Sequence, residues 1–220
     1  MAGEVRSGRG GLRERKKQRT RTTLIDAAVD LCLQHGFDNT TIDQIAEAAE
    51  VSPRTFSRYF PTKEAVVVAV IDDLANAAAA ELATIAPSVP PLPAIARAHV
   101  EVLRAVPAGR AAGLTTERLL LMVSVLGTAG VPRGAATNVR PHAFVLDTAA
   151  RLGVEPNDTR VRLVTGVWAA IAQAAWGRLV IAPDESARCP LIMAERLERV
   201  LADFGDIAAA QVSGALPAST

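Results

Sequence analysis

The sequence predicts an all-α protein of about nine helices. Apolar residues recur every three or four positions along most of the chain, which is the spacing that places them on one face of a helix. Alanine, the residue with the highest helix propensity, is abundant, and proline and glycine fall mainly between the periodic segments. No segment shows the strict alternation of a half-buried strand, and no internal repeat is present. With 50% of its 220 residues hydrophobic, the chain can bury a sizeable core.

The first predicted helix covers residues 13–35 and ends at Gly36, a typical helix terminator. Its core face is a stripe of apolar residues at helical spacing, namely Leu24, Ala27, Ala28, Leu31 and Cys32. The preceding residues 1–12 are polar and rich in glycine, so we expect them to form a disordered N-terminal arm.

The second predicted helix begins at Thr41. Thr41 and Gln44 have the S/T-x-x-E/Q spacing of a capping box, in which each of the two side chains accepts a hydrogen bond from the backbone N–H of the other residue. The apolar residues that follow share one helical face, made of Ile42, Ile45, Ala46 and Ala49.

The third predicted helix begins after Ser52. A hydroxyl at the N-cap followed by proline at the first helical position is a common helix start, because the missing N–H of Pro53 would have had no partner there. Phe56, Tyr59 and Phe60 give this helix an aromatic face. Two short helices joined by a tight turn are typical of a DNA-binding helix-turn-helix, although an ordinary helical hairpin has the same periodicity.

The distribution of charge favours DNA binding over the ordinary hairpin. The net charge of +1 does not by itself indicate DNA binding, but residues 13–21 are strongly basic. The exposed side of the third helix carries hydrogen-bond donors and no acid, as a surface that reads a DNA groove requires; these residues are Arg54, Thr55, Ser57 and Arg58. The basic segment can face phosphates while the many acids of the first two helices face elsewhere.

Residues 15–74 resemble the N-terminal domain of TetR-type transcriptional regulators, through the segments LIDAAVDLCLQHGFDNTTIDQIAEAAEVS and TFSRYFPTKEAVV. The resemblance implies a helix-turn-helix DNA-binding domain over residues 13–62. Three residues depart from the family pattern. Glu50 occupies a turn position where the family usually has glycine, so Glu50 must accept a left-handed backbone or the turn must differ. Arg54 and Ser57 are unusual residues on the DNA-facing side, where they would change which operator is read.

The predicted DNA contacts follow from this arrangement. Arg54 and Thr55 are expected to reach base edges or the adjacent backbone, while Ser57 and Arg58 lie at the groove. Phosphate contacts and non-specific affinity are expected from a second set of side chains, comprising Thr41, Tyr59, Lys63, Arg19 and Arg21.

The rest of the chain is divided by its helix breakers. A fourth helix is predicted from Thr62 to about Thr84, followed by a stiff, proline-rich connection at residues 87–93. Five more helices are expected, with breaks at Pro107, Gly113, residues 127–134, residues 153–156 and Pro183. We therefore predict a ligand-binding and dimerisation domain over residues 63–205 and a flexible tail over residues 206–220.

The C-terminal part carries no recognisable motif for catalysis. It has no metal-ligand cluster, phosphate loop or nucleophile motif, so we predict no enzyme, no catalytic residue, no metal and no cofactor. His99 and His142 are isolated and are expected to be structural or surface residues. Cys32 and Cys189 lie in apolar helical contexts, and buried reduced thiols are favoured over a redox pair.

A regulator with an effector is favoured over a constitutive architectural DNA-binding protein, which would not need so much additional apolar helix. Aromatic and aliphatic residues that could line a cavity for a lipophilic effector are Met122, Phe144, Trp168, Ala170 and Trp176, although such residues are more often core. The segments SPRTFSRYFPTKEAVV and WGRLVIAPDE resemble an actinobacterial subgroup of these regulators. That resemblance implies an acyl-CoA or fatty-acyl effector and a repressor that releases its operator.

The last two helices are the predicted dimer interface. Regulators of this type resemble homodimers built around a four-helix bundle, and two DNA-reading helices about 34–36 Å apart fit successive major grooves of a palindromic double-stranded operator. The interface residues predicted here are Ile171, Leu179, Leu197 and Leu201. No segment is apolar enough to span a membrane, and no signal peptide is recognisable, so we expect a cytoplasmic bacterial protein.

Overall fold

The computed structural model describes residues 7–126 and 142–214. Within these ranges the chain is entirely helical, with nine α-helices and no strand. The helices are α1 (Ser7–His35), α2 (Ile42–Ala48), α3 (Pro53–Tyr59), α4 (Glu64–Leu82), α5 (Pro91–Ala105), α6 (Thr116–Leu126), α7 (His142–Leu152), α8 (Thr159–Trp176) and α9 (Cys189–Gly214). Two short 3-10 helices, Val106–Ala108 and Pro183–Arg188, follow α5 and precede α9. The predicted all-α fold class is confirmed.

The chain divides into two compact units, and the division falls inside helix α4, between Val67 and Val68. In the first unit, α2 packs against both α1 and α3. The interior of this unit consists of fully buried apolar side chains from all three helices, including Leu24, Ile25, Ile45 and Phe56. Leu24, Ile45 and Phe56 come from the apolar faces that the sequence analysis identified, because such a face must be buried against its neighbours to be removed from water, whereas Ile25 was not predicted.

The second unit is organised around α5, whose face toward the interior is almost continuously buried. Helix α5 packs against α7, α8 and α9, and α9 also packs against α6 and α8. Leu103 of α5, Leu119 of α6 and Leu197 of α9 have no exposed surface in this core. The predicted limits of the DNA-binding domain (13–62) and of the ligand-binding and dimerisation domain (63–205) stay a prediction. The division between the two compact units comes a few residues after the predicted boundary.

Two helices are longer than the sequence predicted. Helix α1 begins at Ser7, so residues 7–12 of the predicted disordered arm are helical. Helix α9 continues to Gly214, which places helix in most of the predicted flexible tail. In both cases an established helix adds residues without a new nucleation step, and the alanine-rich tail favours this. The predicted break at residues 127–134 lies outside the described residues.

Both cysteines are buried free thiols, as predicted. Burial raises the pKa of Cys32, and it raises the pKa of Cys189 to about 12. A thiol whose pKa is raised by an apolar environment holds little of the reactive thiolate at neutral pH. Both residues therefore act as small apolar side chains in the described structure.

Candidate DNA-binding surface and ligand pocket

The start of α2 has the predicted capping box. The backbone N–H of Thr41 donates to Oε1 of Gln44 at 2.8 Å, and the backbone N–H of Gln44 donates to Oγ1 of Thr41 at 3.3 Å. Each side chain satisfies an N–H that has no partner within the helix, so the two residues fix where α2 begins. Thr41 is exposed at this end of the helix.

The turn between α2 and α3 depends on the backbone of Glu50. Among the described residues, Glu50 is the one non-glycine residue in the left-handed region, with φ of 54°. Its N–H donates to the carbonyl of Glu47 at 2.9 Å, and the N–H of Val51 donates to the carbonyl of Ala46 at 2.9 Å. These two bonds satisfy carbonyls at the end of α2 in the usual arrangement for a left-handed helix terminus. The turn therefore has the left-handed helix terminus that glycine usually provides, with Glu50 in its place.

Helix α3 is fixed by its cap and by one aromatic anchor. Oγ of Ser52 accepts a hydrogen bond from the N–H of Thr55 at 3.1 Å, and Pro53 occupies the first turn. Phe56 is fully buried, and its ring centroid lies 5.7 Å from that of Phe60. Because Phe56 points inward, helical geometry turns the predicted DNA-contacting residues outward. Those that are exposed are Arg54, Ser57 and Arg58.

The two other predicted contact residues on α3, Thr55 and Tyr59, are half-buried and not fully exposed. Oγ1 of Thr55 lies 3.0 Å from Oγ of Ser52, so this hydroxyl already takes part in the cap. Tyr59 lies beside Arg58, whose guanidinium carbon is 5.4 Å from the centroid of the tyrosine ring. This contact orients the guanidinium next to the phenol, so both groups belong to the same part of the α3 surface.

Lys63 has a structural role that the sequence analysis missed. Its ammonium donates to the carbonyl oxygens of Phe37 and Thr40, the latter at 2.8 Å, and it lies 4.3 Å from the centroid of the Phe37 ring. Lys63 thus ties the segment between α1 and α2 to the start of α4. Two of its three donors are used within the protein, so the predicted phosphate contact rests on the third. No local sequence signal could have shown this, because the partners are more than twenty residues away.

The basic part of α1 lies beside the helix-turn-helix. An open groove of about 520 Å³ is lined by Arg15, Lys16 and Arg19 of α1 together with Ala49 and Val51 of the turn. The structure therefore brings Arg19 next to the turn, as the prediction requires. Arg21 is half-buried and does not line this groove.

The second unit contains a partly open apolar cavity of about 70 Å³. Four of the five predicted ligand-binding residues line it, namely Met122, Phe144, Trp168 and Trp176. The prediction for Ala170 was wrong, because this residue is exposed on the outer side of α8. It follows Trp168 by two positions, and two positions along a helix turn a side chain to nearly the opposite face.

His99, which the sequence analysis did not select as a ligand-binding residue, is at the centre of this lining. Its side chain is buried, and its ring centroid lies 4.4 Å from that of Trp168, 5.5 Å from Phe144 and 6.1 Å from Trp176. Burial lowers the pKa of His99 to about 4, against the opposing effect of a bond to Ile95, so the ring is neutral at pH 7. The sequence did contain one indication that His99 is buried: it follows the apolar Ile95 by four residues, which places both on the same face of α5.

Gly177 makes room for a polar group at the edge of the cavity. A Cβ built at Gly177 would overlap the side chain of Gln173, one turn earlier on α8. The amide of Gln173 and the hydroxyl of Thr165 are among the few polar groups in the lining. Thr165 donates its hydroxyl proton to the carbonyl oxygen of Val161 at 3.0 Å, which leaves its oxygen as an acceptor.

The N-terminal segment matches a family model described as bacterial regulatory proteins of the tetR family, over residues 24–70. The HTH-type transcriptional regulator TcmR of Streptomyces glaucescens is 36% identical to this chain over 170 residues, which are 74% of each protein. The chain belongs to the TetR family. It is therefore a DNA-binding transcriptional regulator with a helix-turn-helix, and the relatives that establish this are regulators, not enzymes.

Other TetR-family proteins match over different lengths. RutR of Escherichia coli K12 is 36% identical over 100 residues, covering 44% of this chain and 47% of RutR. Among solved structures, Thermus thermophilus FadR, a TetR-family repressor in complex with lauroyl-CoA, aligns with 91% of this chain and 97% of its own. The identity is 24% and the TM-score is 0.48.

Part of the predicted dimer interface belongs instead to the core of this TetR-family chain. Ile171 is 3% exposed and Leu197 has no exposed surface, so neither can meet a second protomer without rearrangement. Leu179 and Leu201 are half-buried. The apolar pattern could not separate core residues from interface residues, because α8 and α9 carry apolar residues on more than one face and only one of those faces packs within the chain. Leu163 on α8 and Ile207 on α9 are the large apolar residues left exposed on these two helices, at 62% and 61%.

The described residues contain no group of three or more His, Cys, Asp or Glu side chains that could hold a metal ion. None of the described helices combines the length and the apolar character needed to cross a bilayer.

Proposed function

We propose that this TetR-family regulator is a repressor that binds a palindromic operator as a homodimer and is released by a lipophilic small molecule. The observation that carries the proposal is the aromatic cavity, which lies in the unit that helix α4 joins covalently to the helix-turn-helix. A constitutive architectural protein would have no use for such a cavity. Apolar clefts and cavities with a few polar groups are the usual form of small-molecule sites.

The proposed DNA surface is the exposed side of α3 with the basic part of α1. Arg54, Ser57 and Arg58 are exposed and carry donors that can reach base edges in a major groove. Arg19 lines the groove beside the turn, Thr41 caps α2 and Tyr59 is part of α3, and we expect these three side chains to bind phosphates, which fix position without specifying sequence. Arg21 and Lys63 would contribute less than the sequence suggested, because one is half-buried away from the groove and the other bonds within the protein.

The proposed interface uses the outer faces of α8 and α9. Leu163 and Ile207 are exposed, and Leu201 and Leu179, which lies three residues after the end of α8, are half-buried, so these four side chains have apolar surface that a second copy could cover. Large apolar side chains that remain exposed on neighbouring helices are typical of a surface that a partner covers. A dimer also supplies the two DNA-reading helices that a palindromic site needs.

Release from DNA would be transmitted along α4. This helix starts at Glu64 in the first unit and continues into the second, where Ile71, Leu74 and Ala75 line the cavity. A ligand that widens the cavity would displace these residues and therefore the helix that carries them. The ligand must bind better to the displaced state than to the DNA-bound one, since only differential affinity shifts an equilibrium.

The fatty-acyl effector class stays a prediction from the sequence resemblance. The aliphatic lining residues suit an acyl chain, and the CoA group would require nearby cations. The described residues that line the cavity include no Arg or Lys. We therefore keep the broader proposal of a lipophilic effector and treat lauroyl-CoA as one compound to be tested.

The test uses the full-length protein and an operator selected by that protein from random double-stranded DNA. Operator binding is followed by fluorescence anisotropy while lauroyl-CoA, dodecanoic acid and 2-naphthol are added in separate titrations. At least one compound should lower operator affinity and raise the melting temperature of the free protein. The same compound should bind the DNA-bound protein more weakly by the same factor, because coupling between two sites is reciprocal.

A pair of variants locates the response. Met122→Trp fills the cavity and should abolish release while operator binding persists, whereas Ala143→Trp, on the exposed side of α7, should leave release unchanged. Equal responses in both variants would place the effector elsewhere. If no compound in a broad lipophilic set changed either melting or operator affinity, the architectural alternative would be preferred.

A further inference from the structure

We propose that the cavity binds an aromatic molecule that carries a neutral hydroxyl group, and that this hydroxyl donates a hydrogen bond to Nε2 of His99. The inference rests on the proposed function, because it specifies the effector class for the same cavity. It differs from the fatty-acyl prediction in requiring both a flat ring and a hydrogen-bond donor.

The acceptor is defined by the hydrogen bonds of His99. Nδ1 lies 2.8 Å from the carbonyl oxygen of Ile95, and a carbonyl can only accept, so Nδ1 carries the proton. The ring is neutral at pH 7, which makes Nε2 an unprotonated acceptor. Among the described residues Nε2 has no hydrogen-bond partner, and His99 is part of the cavity lining. Among the described residues, the fully buried side-chain polar atom without a partner is Oγ1 of Thr148, so the unpaired Nε2 of His99 is an accessible acceptor in the cavity lining, and a ligand that supplies a donor can pair with it.

The walls of the cavity favour a flat ring. Trp168, Trp176 and Phe144 all lie within about 6 Å of the His99 ring, a range in which aromatic groups stack or meet edge to face. The indole N–H of Trp176 already donates to the carbonyl oxygen of Met193 at 3.1 Å. Trp176 therefore offers its apolar surface to a ligand and not its donor.

The size and charge of the cavity disfavour the other lipophilic classes. Its volume of about 70 Å³ is well below the roughly 300–1,000 Å³ of typical small-molecule sites, so a ligand must widen it, and a compact ring system requires less widening than an acyl-CoA. A carboxylate would be buried beside a neutral histidine without a cation among the described lining residues, which is costly. A neutral hydroxyl avoids this cost and satisfies His99.

The experiment compares 2-naphthol with 2-methoxynaphthalene by isothermal titration calorimetry of the full-length protein. The two probes share the same rings, but the methyl ether cannot donate a hydrogen bond. We expect 2-naphthol to bind about ten-fold more tightly, which is the effect of one hydrogen bond. This comparison needs no variant, so it holds even if substitutions at His99 impair folding.

His99→Phe keeps an aromatic side chain but removes the acceptor, so this variant should bind the two probes with nearly equal affinity. The matched control is His142→Phe, the same substitution at an exposed histidine, which should keep the ten-fold preference. Equal affinities of the two probes for the unsubstituted protein would overturn the proposal. So would a preference for 2-naphthol that persists in a folded His99→Phe variant.

Failure of this inference is distinguishable from failure of the proposed function. If neither naphthalene bound but lauroyl-CoA or dodecanoic acid released the operator, the regulator would still respond to a lipophilic effector and only the hydroxyl-aromatic class would be wrong. If 2-naphthol bound with the expected preference but did not weaken operator binding, the recognition by His99 would stand while the link to DNA release would be refuted.

Discussion

Nη2 of Arg151 on α7 donates a hydrogen bond to the carbonyl oxygen of Ile85 at 3.0 Å, just beyond the end of α4. The same guanidinium donates to the carbonyl oxygens of Ala86 at 2.7 Å and Val89 at 3.0 Å, and its Nε donates to Asp147 at 2.6 Å. Only 4% of the Arg151 side chain is exposed. One buried cation thus satisfies several carbonyls at and just after the C-terminal end of α4. The helix dipole also favours a positive charge at that end.

Arg151→Met should lower the free energy of unfolding by about 3–5 kcal/mol, because it leaves Asp147 and several carbonyls without their partner. Urea denaturation measures the change. The control is Arg104→Met, which breaks an exposed pair with Glu198 and should cost less than about 1 kcal/mol. Similar costs for the two substitutions would show that the buried contacts of Arg151 do not stabilise the fold.

Glu50→Gly should raise the free energy of unfolding by about 1 kcal/mol. Glu50 has φ of 54°, a conformation that glycine adopts without the steric cost that other residues incur. Glu47→Gly, in helix α2, is the matched control and should lower stability by about 1 kcal/mol. A destabilised Glu50→Gly variant would mean that the glutamate side chain makes a compensating contribution.

Acidification should destabilise the protein partly through His99. The pKa of this residue is about 4 in the folded protein and 6.5 for a free side chain, so between these values the unfolded chain binds a proton that the folded protein does not. Stability is therefore lost as pH falls from about 6.5 to about 4, by about 3 kcal/mol from this group. Urea denaturation at several pH values should show a shallower dependence for His99→Phe than for His142→Phe.

Arg54→Ala should reduce affinity for the selected operator by about 1–3 kcal/mol and relax the preference at one base pair. Arg15→Ala should instead weaken binding to all sequences alike, because phosphate contacts carry no sequence information. Both arginines are exposed, one on α3 and one on α1. Repeating the selection from random DNA with each variant measures the preference, and an unchanged sequence profile for Arg54→Ala would remove that residue from base reading.

Leu163→Asp or Ile207→Asp should give a folded protein that fails to dimerise, since a charge would be buried without a partner at the proposed interface. Leu197→Asp should instead prevent folding, because Leu197 is fully buried within the chain. Sedimentation velocity and circular dichroism separate the two results. Full-strength dimers from both surface variants would exclude the outer faces of α8 and α9.

The features that the sequence predicted well depend on neighbouring residues. The capping box of Thr41 and Gln44, the start of α3 at Ser52 and the special backbone of Glu50 each arise from residues within one helical turn. Local rules of capping are therefore sufficient to locate the two helix starts, whereas the backbone of Glu50 was expected from the TetR-type resemblance, in which glycine usually occupies that position.

The features that the sequence did not predict depend on distant residues or on the choice between two apolar faces. Lys63 and Arg151 bond to carbonyls that only the folded chain brings near, so no pattern records them. Ile171 is core while Leu163 is exposed, although both are apolar residues of α8. Periodicity shows that a residue is apolar, but it does not show whether the chain itself or a second copy covers it.

The position of the two tryptophans has a practical consequence. The chain has only two, Trp168 and Trp176, and both line the cavity. Any occupant must therefore change the surroundings of every indole in the protein, so its intrinsic fluorescence reports directly on the cavity. Compound collections can be screened by emission alone, with unlabelled protein and before the operator sequence is known.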